Sequence, residues 1–335
     1  MKPIESTQFE RNCADGGGAP DVYLKPMIRT DMNRADWMLL LSLALIWGSA
    51  FFFIGVAVRH VAPLTYVWLR LTIAAAGLWT YLKLSRRAAD LPREVWGSII
   101  ILAVLNNALP FALFGWGQTH IASGLASILN ATTPIWGVLV AHVFTDDERL
   151  NPRKLAGLLL GFGGVATMIG PTLLSDVGSA ALAQLACVAA SLSYALAAVW
   201  ARRFKRKGVS PLAVTTGQLS AGALIMLPLA MIVDRPWTHA LPSAGAWGAI
   251  AALALVCTAF AYVLYFKLID SAGATNALLV TLIVPPVAIL LGAMFLGEQL
   301  AFQDFAGLAL IAVGLAAIDG RLFSLLARRP LPRAI

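Results

Sequence analysis

Residues 271–316 of this chain repeat residues 121–166 at a fixed offset of 150, and that repeat limits the available folds more than any other feature. Ala122 meets Ala272, Leu129 meets Leu279, Glu148 meets Glu298 and Leu150 meets Leu300. Gly157, Gly164 and Ala166 meet Gly307, Gly314 and Ala316. Earlier in each half the offset is about 148, so that Pro63-Leu64 meets Pro211-Leu212 and Arg70-Leu71 meets Gln218-Leu219. Each half carries five apolar spans. Five is odd, so a second copy of a membrane-spanning unit enters from the opposite side and lies upside down. The expected organisation is a first five-helix repeat over 32–171 and a second, inverted one over 172–321, between tails at 1–31 and 322–335.

Composition agrees with this reading. Hydrophobic residues make up 59% and charged residues 13%, which excludes an ordinary soluble domain. The predicted helices lie at about 36–58, 64–84, 95–115, 118–142, 152–171, 179–201, 211–232, 245–267, 272–296 and 302–320, each close to the ~20 residues that cross ~30 Å of hydrocarbon. Helices satisfy their own backbone hydrogen bonds, which lipid cannot do for them. The fold class is therefore an all-α integral membrane protein with ten transmembrane helices.

The net charge of +8 follows membrane sides and does not mark a nucleic-acid surface. With the N-terminus inside, 22 of the 25 Lys and Arg residues fall in inside loops and tails. Arg59 and Arg235 fall outside, and Arg70 falls within a span. That asymmetry places both termini in the cytoplasm, and the expected location is a bacterial-type inner membrane. Residues 1–31 lack the apolar region of a signal peptide and carry Gly16-Gly17-Gly18 among scattered charges, so a disordered cytoplasmic tail is expected. Cys13, Cys187 and Cys257 have neither metal-ligand spacing nor a disulfide framework, and no cofactor is expected.

Polar side chains inside the spans recur at steps of three and four, which places each set on one helix face. His120, Ser123, Ser127, Asn130 and Thr133-Pro134 mark the fourth span. Gln184, Cys187, Ser191 and Tyr194 mark the sixth, and Thr258, Tyr262 and Tyr265 the eighth. Asn106-Asn107 lie near the centre of the third span, and Ser42, Trp47 and Ser49 lie in the first. Such residues either hydrogen-bond helices together or line a polar path. Their similar depth on several helices favours a cavity between the halves, near the midplane, as in many secondary transporters. Trp47, Ser49, Asn106, Asn107, Asn130, Thr133, Tyr194 and Tyr262 are the candidate lining residues.

A second set is structural or gating. Asn130–Pro134 and Pro285-Pro286 interrupt the fourth and ninth spans at corresponding places. Arg70 lies about one and a half turns from the outer end of the second span, where it either meets an anion, snorkels outward or acts as a gate. Its counterpart is neutral Gln218. Glu148 and Glu298 precede the fifth and tenth spans and are expected to stabilise those helix N-termini. Gly157, Gly161, Gly164, Gly307 and Gly314 indicate close helix packing, either internal or in a homodimer. No Asp or Glu lies at mid-membrane, which argues against tight ion coupling.

Several of these residues also form family motifs: Trp47-Gly48-Ser49-Ala50-Phe51, Pro63 followed by Arg70, Glu148-Arg149-Leu150, and Gly297-Glu298-Gln299-Leu300 with the glycine spacings that follow. On these, over about residues 36–320, the chain resembles the drug/metabolite transporter superfamily in its ten-helix EamA-type branch. The resemblance implies a two-basket bundle that exports metabolites by alternating access, with helices 5 and 10 peripheral to a central cavity. Among known branches it looks most like the YddG-type amino-acid exporters. The expected partners are the lipid bilayer and a small-molecule substrate, plausibly an amino acid, with other metabolites or drugs (nucleobases, polyamines, toxic amphiphiles) as the alternative and a passive channel as a third reading. No GxSxG, HExxH or P-loop motif and no pair of intramembrane acids supports an enzyme.

Overall fold

The computed structural model describes residues 32–86, 90–145, 151–175, 178–277 and 279–319. Glu148 and the tails 1–31 and 322–335 lie outside the described residues. The chain runs through α1 (Arg34–Val58), α2 (Pro63–Leu84), α3 (Arg93–Gly117), α4 (Ser123–Phe144) and α5 (Pro152–Ser175). It continues through α6 (Ser179–Arg206), α7 (Pro211–Asp234), α8 (Ala244–Ala272), α9 (Val280–Leu296) and α10 (Phe302–Asp319). No strand occurs among the described residues.

Local sequence explains several of the starts. Asn33 and Asp36 form a reciprocal capping box at α1, with bonds of 2.9 and 3.0 Å. Pro63 and Pro211 open α2 and α7 at a position where the missing N–H costs nothing. Among the described residues, length and composition qualify six helices (α1, α3, α4, α6, α7 and α8) as membrane crossings, against the ten predicted. The α2 helix falls short because Arg70 and a run of hydroxyl and aromatic side chains dilute its apolar character. Leu224, Ile232, Leu290 and Phe295 are exposed, as side chains that face hydrocarbon would be.

The α1 helix lies against α9, and α4 lies against α6. The α2 helix packs on α7, and α5 on α10. The α3 helix packs on α6, α8 on α1, α2 on the middle of α8, and α7 on α3. Exchanging each helix for the one five places along leaves this set of pairings unchanged.

Glycine decides the α5–α10 contact. A Cβ added to Gly157 would lie 2.6 Å from the Gly314 carbonyl oxygen, and one on Gly164 would lie 2.6 Å from that of Gly307. The reverse distances are 2.6 and 2.7 Å. Backbone therefore meets backbone at two points, and these glycines serve a contact inside the chain.

Two sequence expectations need correction. The α4 helix is broken at Ala131–Thr132, just ahead of Pro134, as expected. In α9, however, Pro285 and Pro286 lie inside the unbroken stretch Val280–Leu291, and the interruption comes earlier, at Leu279. Val284 and Pro285 are buried against α1, where Gly48 makes room: a Cβ there would lie 3.0 Å from the Val284 carbonyl oxygen. Packing against α1 holds this stretch helical despite two missing N–H donors.

The second correction concerns Glu298, which does not cap α10. Asp304 does, accepting from the Ala301 N–H at 2.9 Å. Glu298 instead reaches the start of α4. Its Oε1 accepts from the Ser123 N–H at 2.9 Å, and its Oε2 accepts from the Ser123 hydroxyl at 2.7 Å and the Gly124 N–H at 3.3 Å. The reason is the turn before it. Gly297 takes φ +67°, and Gly292 lacks the Cβ that would strike the carboxylate. Asp234, at the end of α7, serves α2 in the same way, accepting from the Thr65 N–H at 2.7 Å and its hydroxyl at 2.9 Å. Glu298→Gln replaces a charge-assisted cap and is expected to lower stability by about 1–3 kcal/mol, read as a fall in melting temperature in detergent. An unchanged melting temperature would show that the cap contributes nothing.

Candidate functional site: a buried polar centre between α2, α3, α7 and α8

Four of the described helices carry π segments, and those at Val104–Ala108 in α3 and Ala252–Phe260 in α8 lie at matching places in the repeat. A π turn widens the helix and shifts its backbone hydrogen bonds, and such turns are frequent at functional sites. The Thr258 hydroxyl donates to the Leu253 carbonyl at 2.7 Å and accepts from Arg70 Nε at 3.0 Å. The Arg70 guanidinium lies 3.7 Å from the centre of the Phe111 ring. Tyr66, packed where Gly115 leaves space, donates its hydroxyl to the Phe111 carbonyl at 2.9 Å.

Arg70 is only 5% exposed, so it does not snorkel to a surface. No carboxylate is among its described partners. A buried charge is costly and is ordinarily paired with an opposite one. Here a hydroxyl and an aromatic face hold it.

The repeat counterpart behaves in parallel. Gln218 on α7 accepts at 3.2 Å from the amide of Asn106, in the π segment of α3. The same amide donates to the Tyr262 hydroxyl at 3.1 Å. Residues 70 and 218 therefore each bond to a side chain in a π segment of the other half. Beside them Asn107 is 0% exposed, and neither of its amide atoms has a hydrogen-bond partner among the described residues.

The other candidate residues form separate groups. Trp47 packs at a tilt on Tyr265, ring centres 5.3 Å apart. The Ser49 hydroxyl donates to the Ile46 carbonyl at 2.9 Å and lies 3.8 Å from Cys257 Sγ. Thr133 donates to the Asn130 carbonyl at 2.7 Å across the break in α4. Tyr194 stacks on Phe114 at 6.2 Å. The α6 hydroxyls bind helices together: Ser193 donates to the Leu105 carbonyl at 2.7 Å, and Ser191 to the Leu129 carbonyl at 3.1 Å. One acceptor lies in a π segment and the other just ahead of the α4 break. His120 lies in the turn before α4 and is not on its polar stripe; its ring is 4.9 Å from Trp116.

Phe111 and Tyr66 escape sequence reasoning, because an aromatic residue in an apolar span carries no mark of its partner. Thr258 is visible on the α8 stripe.

The EamA-like transporter family matches the chain twice, over residues 36–170 and 181–318. The uncharacterized transporter YoaV of Bacillus subtilis is 28% identical over 280 residues, which is 82% of this chain and 94% of that protein. The uncharacterized inner membrane transporter YedA of Escherichia coli K12 is 28% identical over 293 residues, 85% and 91% of the two chains. A chain from a solved crystal structure superimposes with a TM-score of 0.61 at 21% identity, covering 88% of this chain and 99% of its own length, and so shares the fold. Both arms of the family match fall on the helical halves that meet around Arg70, and the chain belongs to the EamA-like transporter family, as a multi-pass membrane transporter of the drug/metabolite transporter superfamily.

Proposed function

We propose that the protein exports small metabolites across a bacterial-type inner membrane by alternating access, with amino acids as the leading substrate class. In this reading ten helices form two inverted five-helix halves, both termini are cytoplasmic, and the substrate passes between the halves. The helix pairing supports a two-fold relation between the halves because it survives exchange of counterparts, and an odd number of spans per half makes that relation an inversion. The double family match supports duplication. Arg70, Asn106, Gln218, Thr258 and Tyr262 form the recognition centre, and Trp47, Ser49, Asn107, Asn130, Thr133 and Tyr194 border the path.

One observation carries the substrate class: a buried guanidinium with no acid among its described partners. It favours a substrate that brings its own negative charge, while the surrounding amide and phenol oxygens accept from an ammonium group. A polyamine meets like charge there, and a nucleobase or neutral amphiphile gains little from it. Asp36, Asp234 and Asp304 lie in the first or last turns of their helices and Glu298 in the turn after α9, which supports flux without an imposed proton or sodium gradient.

Purified protein in liposomes, offered labelled amino acids, nucleobases and polyamines, tests this directly. Uptake of amino acids without an imposed proton or sodium gradient is expected. Uptake of polyamines alone, or strict dependence on either gradient, would contradict it. For topology, a periplasm-active reporter fused after Ile335 is expected to stay silent, and strong activity would reverse the assignment.

A further inference from the structure

A second polar site lies away from the Arg70 centre, where α1 ends, α3 turns into α4 and α9 ends. Gly55, Arg59, Gln118, Thr119, His120 and Glu298 contribute to the lining of a cleft of about 390 Å³, within the range of small-molecule sites. The proposed topology places this cleft on the outer side of the membrane.

Gln118 closes α3, and its backbone N–H bonds to the Phe114 carbonyl at 3.0 Å. The residue is 8% exposed, and neither of its buried amide atoms has a partner among the described residues. A buried primary amide left in that state destabilises a fold unless something outside the chain completes it. Gly55 keeps the space open: a Cβ there would lie 3.6 Å from Gln118 Oε1 and 3.8 Å from Ser123 Cβ. Ser123 is the residue that Glu298 holds. Glu298 Oε2 takes two hydrogen bonds and Oε1 one, so Oε1 has room for another donor. Arg59 is exposed at the rim, and the His120 ring is steadied by the Thr119 hydroxyl at 2.7 Å. The cleft is thus bordered by a buried, unpartnered amide whose oxygen accepts and whose N–H donates, by a carboxylate, which accepts, and by a guanidinium, which donates.

We propose that this cleft is an exit-side site for a small zwitterion, an α-amino acid; this rests on the amino-acid reading above. The ammonium group binds between Gln118 Oε1 and Glu298, and the carboxylate binds the Gln118 amide N–H and Arg59. The carboxylate that receives the ammonium also ties α9 to α4, so occupancy of the cleft and the strength of that tie are linked.

Right-side-out membrane vesicles loaded with labelled L-leucine provide the test. Exchange is followed against external unlabelled L-leucine, and the half-maximal external concentration is read. Gln118→Leu is expected to raise that concentration about ten-fold or more. Its melting temperature is expected to stay at or above that of the wild type, because no described bond within the chain is lost. Externally, 3-methylbutylamine and 4-methylpentanoate each keep one charged end of leucine and are expected to act weakly. Arg59→Gln is expected to narrow the gap between leucine and the amine. An unchanged half-maximal concentration in Gln118→Leu overturns the site, and a lowered melting temperature with unchanged exchange assigns the amide to a buried water. Wild-type vesicles that move no leucine overturn the amino-acid reading and this site with it, whereas wild-type exchange unaffected by Gln118→Leu overturns this site alone.

Discussion

Arg70→Gln is expected to reduce transport of a carboxylate-bearing substrate by about ten- to hundred-fold, the range set by one charge-assisted hydrogen bond. The same change should leave the amide or amine analogue of that substrate much less affected. The contrast matters because Arg70 also clamps α2 to α8 through Thr258. Thr258→Val removes the clamp and keeps the charge, so it is expected to lower stability without erasing the preference for the carboxylate. Arg70→Lys keeps the charge but loses the flat face that lies 3.7 Å from the Phe111 ring centre, and an intermediate effect is expected. Transport ratios for the acid and its amide, measured on all three variants, decide between the roles. If Thr258→Val reproduces Arg70→Gln and neither alters the ratio, Arg70 is a structural clamp alone.

Gly164→Leu is expected to abolish folded protein. The new side chain would start 2.6 Å from the Gly307 carbonyl oxygen, a backbone atom that cannot swing away. Overpacking in a rigid contact commonly costs about 1–3 kcal/mol, and here relief requires two helices to separate along their crossing, which raises the cost further. Gly163 provides the control on the same helix, since a Cβ there meets nothing within 4 Å. Gly163→Leu is expected to express and elute like the wild type on size-exclusion chromatography, while Gly164→Leu yields little or aggregated protein. Equal yields of the two would mean that the α5–α10 contact does not hold the bundle together.

Arg70 and Gly164 also mark how far the amino-acid sequence alone is legible. Apolar runs report the helices because lipid forces each crossing to be helical and long enough. The glycine spacing on α5 and α10 reports a close contact but not its partner, because a backbone-to-backbone crossing inside one chain and one between two chains use the same small residues. Arg70 stands out as a charge in an apolar span. Its hold on Thr258 does not, because that bond depends on the π segment Ala252–Phe260, and a π turn leaves no signature in a 3.6-residue pattern. The Glu298 bond to Ser123 is hidden for a different reason. Helix capping reads as a local pattern, whereas the two residues lie 175 positions apart in sequence. Pro285 and Pro286 mislead because proline reports a lost donor, and whether a helix then breaks depends on what packs against it, here α1 at Gly48.

On the proposed mechanism a negatively charged or zwitterionic metabolite passes through a centre built around Arg70, and counterflow in proteoliposomes tests that proposal most directly. Vesicles are loaded with excess unlabelled L-leucine, diluted into a trace of labelled L-leucine with no ion gradient, and followed over time. Transient accumulation of label above equilibrium, saturating with leucine concentration, is expected in the wild type and is expected to be lost in Arg70→Gln. Label that only equilibrates, without overshoot or saturation, or an overshoot that Arg70→Gln retains in full, would contradict it.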